Sequence, residues 1–181
     1  MTMTGLGALT AEVLTLLYET HAKALHRYLA RRLDTATADD LVAETFLQAW
    51  RERAKYDTAR GTARAWLYGI ATNLLRNHTR SEVRGLRALA REQASSVQSA
   101  PPDDRAAARV DAGKEAGKLA EALARLRVVE RDVLLLVALA DFTPAEAAEA
   151  LGINVTTART RLHRARQTLR KALATEEIPH D

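Results

Sequence analysis

The 181-residue sequence predicts an all-α protein: two small helical domains joined by a flexible linker, with a helix-turn-helix in the C-terminal domain. Three observations predict it. Apolar residues recur at three- and four-residue intervals through most of the chain, the spacing of one helix face. Aromatics supply only 4% of residues while alanine and arginine are abundant, which favours helices over a packed β-sandwich. One Ser-, Pro- and Asp-rich stretch without periodicity, ASSVQSAPPDD at 94–104, divides the chain. The expected organisation is an N-terminal domain over 1–92, a linker over 93–108 and a C-terminal domain over 109–181.

After a frayed start, 10–32 carries Val13, Leu14, Leu17, His21, Leu25, Tyr28 and Leu29 on one helical stripe. Thr37, with Asp40 three residues on, is positioned to cap a second helix at about 39–53. That helix buries Leu41, Val42, Thr45, Phe46, Ala49 and Trp50, and shows Asp39, Asp40, Glu44 and Gln48 on its other face. The acids suit a helix N-terminus, or a partner protein, equally well. The loop KYDTARGT at 55–62 leads to Thr62, which caps a third helix with Trp66, Leu67, Ile70, Ala71 and Leu74 inward. Asn73, Arg76, Asn77 and Arg80 lie off that stripe. Amide and basic groups beside Tyr56, Trp66 and Tyr68 are the ingredients of a single-strand surface, where bases stack on rings and cations hold phosphates. Plain core positions for Trp66 and Tyr68 are the competing reading. Beyond the linker, Val110, Leu119, Leu123 and Leu126 mark a helix whose early part Gly113 and Gly117 weaken, and a strongly apolar helix follows at 128–139.

The most informative stretch is 143–171. Thr143, Pro144 and Glu146 form a capping box with proline at the first helical position, and Ala147, Ala150 and Leu151 line one side of the helix they start. Gly152 permits the helix to end, and Asn154 caps the next one, with Ile153 and Ala158 as a hydrophobic staple. On that last helix Ala158, Leu162, Ala165, Leu169 and Leu173 face inward. Thr156, Thr157, Arg159, Thr160, His163 and Arg164 occupy the opposite face. This is the helix-turn-helix pattern, whose second helix enters the DNA major groove. Arginine bonds two acceptors on guanine at once, threonine offers a hydroxyl and a methyl to base edges, and flanking arginines neutralise phosphates.

The formal net charge is only +4, but the positive residues cluster. Arginines 60, 64, 76, 80, 84, 87 and 91 face one acid, Glu82, in that span, and 159–171 holds no acid at all. Two basic surfaces point to two contacts with a polyanion. The absence of cysteine excludes disulfides and cysteine-ligated zinc. No apolar run would span a bilayer, and MTMTGLGALT lacks the regions of a signal peptide, so a cytoplasmic location is expected. A helical-bundle metalloenzyme would need Glu-x-x-His pairs facing inward. The one such spacing, Glu177 to His180, is interrupted by Pro179, and His21 and His26 suit a core edge or a solvated face better than a metal. No nucleophile elbow or phosphate loop is present, and neither an enzymatic activity nor a cofactor is expected.

DDLVAETFLQAW, then WLYGIATN, then LGINVTTARTRLHRAR, in this order over nearly the whole chain, resemble a bacterial extracytoplasmic-function (ECF) sigma factor. The resemblance implies a dissociable initiation subunit of RNA polymerase. It places Asp39, Asp40, Leu41, Glu44, Phe46 and Gln48 on the helix that docks on the clamp helices of the largest polymerase subunit, and implies a second contact with the flap of the second largest. It gives the minus-ten element to the segment holding Tyr56, Asp57, Arg60, Gly61, Trp66 and Asn73, with Arg76, Asn77 and Arg80 beyond. A base extruded from the melted non-template strand would be read by the 56–61 loop and Asn73. The minus-thirty-five duplex would be read by Thr156, Thr157, Arg159, Thr160, His163 and Arg164, and an anti-sigma partner is implied. Four positions depart from the family pattern: Asn77 where Asp is frequent, Thr156 where Gly is, Ala158 where Val is, and Arg127 in place of Pro. The alternative is a free-standing helix-turn-helix regulator, which would normally dimerise on a palindromic operator.

Overall fold

The computed structural model describes residues 9–59, 61–98 and 104–174, leaving aside the side chains of 94, 96–98 and 104–111. Every regular element among them is helical: α1 (Ala11–Ala30), α2 (Thr35–Arg51), a 3-10 turn (Arg53–Lys55), α3 (Ala63–Arg76), α4 (Thr79–Gln98), α5 (Asp104–Arg125), α6 (Val128–Leu139), α7 (Pro144–Leu151) and α8 (Val155–Ala174). The expected frayed start before residue 9 and the tail after Ala174 lie outside the described residues.

Side-chain caps set most of the helix starts. The Thr10 hydroxyl accepts from the Val13 N–H, and that of Thr62 from the Ala65 N–H at 3.1 Å. Helix α2 corrects the sequence reading: Asp34, not Thr37, is its N-cap. The Asp34 carboxylate takes the Thr37 N–H at 2.9 Å and the Thr37 hydroxyl at 2.8 Å, so the threonine is spent inside the first turn. Helix α4 reaches Gln98 and α5 begins at Asp104, both within the span expected to be a flexible linker. The reason is propensity plus packing: the segments on either side of the break are rich in Ala and Arg, and α4 and α5 lie against each other. On α5, Ala120, Ala122 and Ala124 are buried while Leu119 is exposed, so its inward stripe is narrower and smaller than expected.

Helices α1, α2 and α3 pack together around Leu25, Tyr28, Leu29, Leu41, Phe46, Leu67 and Leu75. The same cluster continues into the C-terminal half through Leu135, Leu136, Ala140, Phe142 and Ala147. A second cluster, of Leu126, Val133, Leu134, Ala148, Ala158, Leu162 and Ala165, joins α6, α7 and α8. Helix α6 therefore buries opposite faces in two clusters, which is why its sequence is apolar nearly all round. Val13 and Leu173, expected inward, are 42% and 43% exposed. Truncating a leucine as buried as Leu67 or Leu75 costs about 2–5 kcal/mol.

Candidate nucleic-acid interface

The helix-turn-helix is built from local signals. The Thr143 hydroxyl accepts from the Glu146 N–H at 3.2 Å while the Glu146 carboxylate takes the Thr143 N–H at 2.7 Å, a reciprocal capping box. The Thr143 N–H, and after it the Thr143 hydroxyl donating at 2.8 Å, hold the Glu146 carboxyl below the usual glutamate range. Gly152 ends α7 at φ 62°, a left-handed conformation that costs glycine little. Asn154 then takes the Thr157 N–H at 2.7 Å and starts α8. The turn leaves Thr156, Arg159, Thr160, His163 and Arg164 exposed on one side of α8 and Thr157 half-buried, while Ala158, Leu162 and Ala165 are buried behind them. The Thr160 hydroxyl donates to the Thr156 carbonyl at 2.9 Å, leaving its lone pairs and methyl for a partner. Arg127 and Arg161 border the same face, around a groove of about 300 Å³ with Thr156, Thr157, Thr160 and Arg164. The sequence reading noted Arg127 only as a departure from the family pattern and gave Arg161 no role. The signal for Arg161 was its place four residues after Thr157, one turn along α8.

The residues expected at the minus-ten element gather in a second place. The rings of Tyr56 and Trp66 lie 4.9 Å apart and tilted by 36°, at the edge of a cleft of about 560 Å³ that also takes in Asp57, Gly61 and Asn73. Trp66 is half-buried, so it serves the core and the cleft together. Tyr68 is a core residue, packed between the tilted rings of Tyr28 and Phe142 at 5.3 and 5.0 Å, and the single-strand reading of that ring is corrected to the plain one. Asp57 shapes the loop by accepting the Ala59 N–H at 2.9 Å. Asn73, exposed, accepts from Arg76 Nη1 at 3.2 Å, and Arg76 Nε lies 3.2 Å from Asp132 Oδ2. Asn77 and Arg80 are exposed past the end of α3. Arg60 lies outside the described residues. The far wall of the cleft is α7 and its turn, Ala148 to Ile153, and burial first, then the Glu149 charge, raises the Tyr56 pKa.

On α2 the structure separates two kinds of residue. Asp39, Asp40 and Glu44 are exposed, and Gln48 is half-buried with its amide donating to Glu52 at 2.6 Å. Asp39 lies 3.1 Å from His26 Nε2. Leu41 and Phe46 are 2% and 7% exposed, so they fix α2 in the core and offer no side chain to a partner in this arrangement.

A buried ion lattice was not anticipated. Glu82 of α4 lies 2.7 Å from Arg32, in the turn after α1, and 3.3 Å from Arg131 of α6, and Asp132 lies 2.8 Å from Arg32. Arg32, Glu82, Arg131 and Asp132 all have side chains 1% exposed. Burial alone would lower the Arg32 pKa, but Tyr28, Glu82 and Asp132 outweigh it and the net shift is upward. The sequence did hold a signal: Glu130, Arg131 and Asp132 interrupt an otherwise apolar helix, where a charge survives only with a partner.

A sigma-70 region 2 family model matches residues 17–85, and a sigma-70 region 4 model matches residues 116–169. Over 173 residues, 94% of each chain, the sequence is 35% identical to the ECF RNA polymerase sigma factor SigL of Mycobacterium tuberculosis. It is 29% identical over 140 residues to the ECF RNA polymerase sigma factor SigK of Mycobacterium bovis, covering 77% of this chain and 74% of that one. Its structure is similar to that of CnrH solved in complex with the cytosolic domain of CnrY, with a TM-score of 0.62 and 25% identity over 92% of this chain and 91% of that one. The fold is shared as well with the sigma factor RpoE solved with the anti-sigma factor NepR from Bartonella quintana, at a TM-score of 0.57 and 22% identity over 90% and 97%. A region 2 match has no place in a free-standing helix-turn-helix regulator, and that alternative is not favoured. Both regions in order, and a relative aligned almost end to end, show that the chain belongs to the ECF RNA polymerase sigma factors, non-enzymatic proteins that recognise promoters for transcription initiation.

Proposed function

We propose that this sigma factor divides promoter recognition between its two basic surfaces and docks on core RNA polymerase through the acidic face of α2. Arg159, Thr160, His163 and Arg164, with Thr156 and Thr157 beside them, read the minus-thirty-five duplex from α8. Tyr56, Asp57, Gly61, Trp66 and Asn73 take the melted minus-ten strand, with Arg60, Arg76, Asn77 and Arg80 holding its backbone. Asp39, Asp40, Glu44 and Gln48 meet the clamp helices of the largest subunit, Leu41 and Phe46 acting through the position of α2, and the C-terminal domain meets the flap of the second largest. The protein works in the cytoplasm and is held in reserve by an anti-sigma factor, a reading supported by its likeness to CnrH in complex with CnrY.

The observation that carries the division is the exposed polar face of α8, presented by two well-formed caps on one side of a buried apolar stripe. Two substitutions test it in polymerase holoenzyme. Arg164→Ala should weaken binding to duplex carrying the upstream element roughly tenfold, the loss of one good base contact, and leave binding to a premelted minus-ten template nearly unchanged. Asn73→Ala should do the reverse. Equal losses on both templates would refute the two-site assignment.

A further inference from the structure

We propose that the free protein is closed on itself, with Glu149 of α7 holding the place of the melted strand; this rests on the assignment of the Tyr56–Asn73 cleft to that strand. Helix α7 is the first helix of the duplex reader, yet it forms one wall of the cleft. The Glu149 carboxylate accepts the Thr62 N–H at the mouth of the loop and fills the space beside Gly61. An anionic acceptor on that N–H is what a strand phosphate would supply. Arg76, a cation expected to hold the strand, is turned to Asp132 of α6. Two acids from the C-terminal half thus occupy two strand-facing groups of the N-terminal half.

The closure is tight enough to depend on particular residues. Gly69 of α3 meets α7 where a methyl group would come within 3.0 Å of the Ala150 carbonyl oxygen, backbone that cannot swing aside. Arg64 of α3 donates to the Ala140 carbonyl, stacks 4.2 Å over Phe142 and lies 3.9 Å from Glu146. On the other side the Arg32–Asp132 and Glu82–Arg131 pairs cross between the halves.

Closed, the protein cannot hold a promoter. Elements centred about 25 base pairs apart are separated by roughly 85 Å of duplex at about 3.4 Å per pair, and here the two readers touch. Strand binding and closure therefore compete for Thr62 and Arg76, and polymerase docking or an anti-sigma factor acts on a chain that is already shut. Exposed contacts such as that of Glu149 weaken with salt, so closure itself is salt-sensitive.

The chain has no cysteine, so Lys23→Cys and Gln167→Cys, both at exposed positions, give a clean dye pair for energy transfer across the two halves. The full-length protein should show high transfer. Gly69→Ala, which favours helix α3 itself, should lower the transfer by half or more and raise affinity for a labelled random-sequence single-stranded 20-mer at least fivefold. Glu149→Ala should raise strand affinity similarly. Low transfer in the parent protein, or an opened Gly69→Ala chain that still co-migrates with core polymerase but binds the 20-mer no better, would overturn the proposal while leaving the sigma assignment intact. An opened chain that binds neither polymerase nor strand would remove the reading of the cleft and the proposal together.

Discussion

Replacing Glu82 with glutamine tests whether the buried lattice is held by charge. The carboxylate accepts from Arg32 Nε at 2.7 Å and from Arg131 Nε at 3.3 Å, and all three side chains are 1% exposed. The neutral amide keeps the shape and one acceptor but leaves two desolvated guanidiniums, with Asp132 the remaining buried carboxylate near Arg32. Removing one partner of a buried pair costs about 3–5 kcal/mol, most of it from the stranded charge. A protein of this size is stable by about 5–15 kcal/mol, so the loss is a large fraction of the whole. At about 2–4 °C per kcal/mol the midpoint should fall by about 6–20 °C. Urea unfolding followed by circular dichroism measures the change directly, the slope m staying constant if the unfolded ensemble is unaltered. Glu121→Gln is the control, since its partner Arg125 lies 3.2 Å away on an exposed surface, where a pair is worth less than about 1 kcal/mol. If Glu82→Gln costs no more than that control, water must reach the lattice and the account of it is wrong.

Gly152→Ala should cost about 1–2 kcal/mol in thermal unfolding, the strain of φ 62° on a residue with a Cβ; a neutral result would mean the turn relaxes without it. The Glu146 carboxyl titrates below the usual glutamate range because it caps Thr143, so its contribution is complete above the ordinary value of about 4.3 and is lost as pH falls through the depressed one. The stability difference between the parent and Glu146→Gln should therefore shrink on acidification below that point. A difference that stays constant down to full protonation would rule out the charged cap.

What could be read in the sequence was what the chain states locally. Thr143, Glu146, Gly152 and Asn154 act on backbone groups no more than three or four residues away, so their order along the chain specifies the turn and aims α8. The same local logic failed between Asp34 and Thr37, where two residues compete for one helix start and the carboxylate, reaching both the N–H and the hydroxyl, prevails. Tertiary partners were not legible. Tyr68 could be a base-stacking ring or a core ring until Tyr28 and Phe142 close around it. Arg32 and Glu82, 50 residues apart in the chain, look like ordinary surface charges until the turn after α1 meets α4. Glu149 sits on the outer face of a short helix, and only the approach of α7 to Gly69 gives it a partner in Thr62. Helix α5 was legible only in its later part, because it buries alanines rather than a leucine stripe.

The most direct test of the sigma-factor account is transcription with purified core RNA polymerase on bacterial genomic DNA, with RNA 5′ ends mapped with and without this protein. The account predicts start sites that appear only when it is added and share two upstream sequence elements, and it predicts that Asp40→Ala with Glu44→Ala abolishes them together with co-migration on core polymerase. An unchanged set of 5′ ends, with the protein running as a dimer that shifts duplex DNA alone, would contradict it.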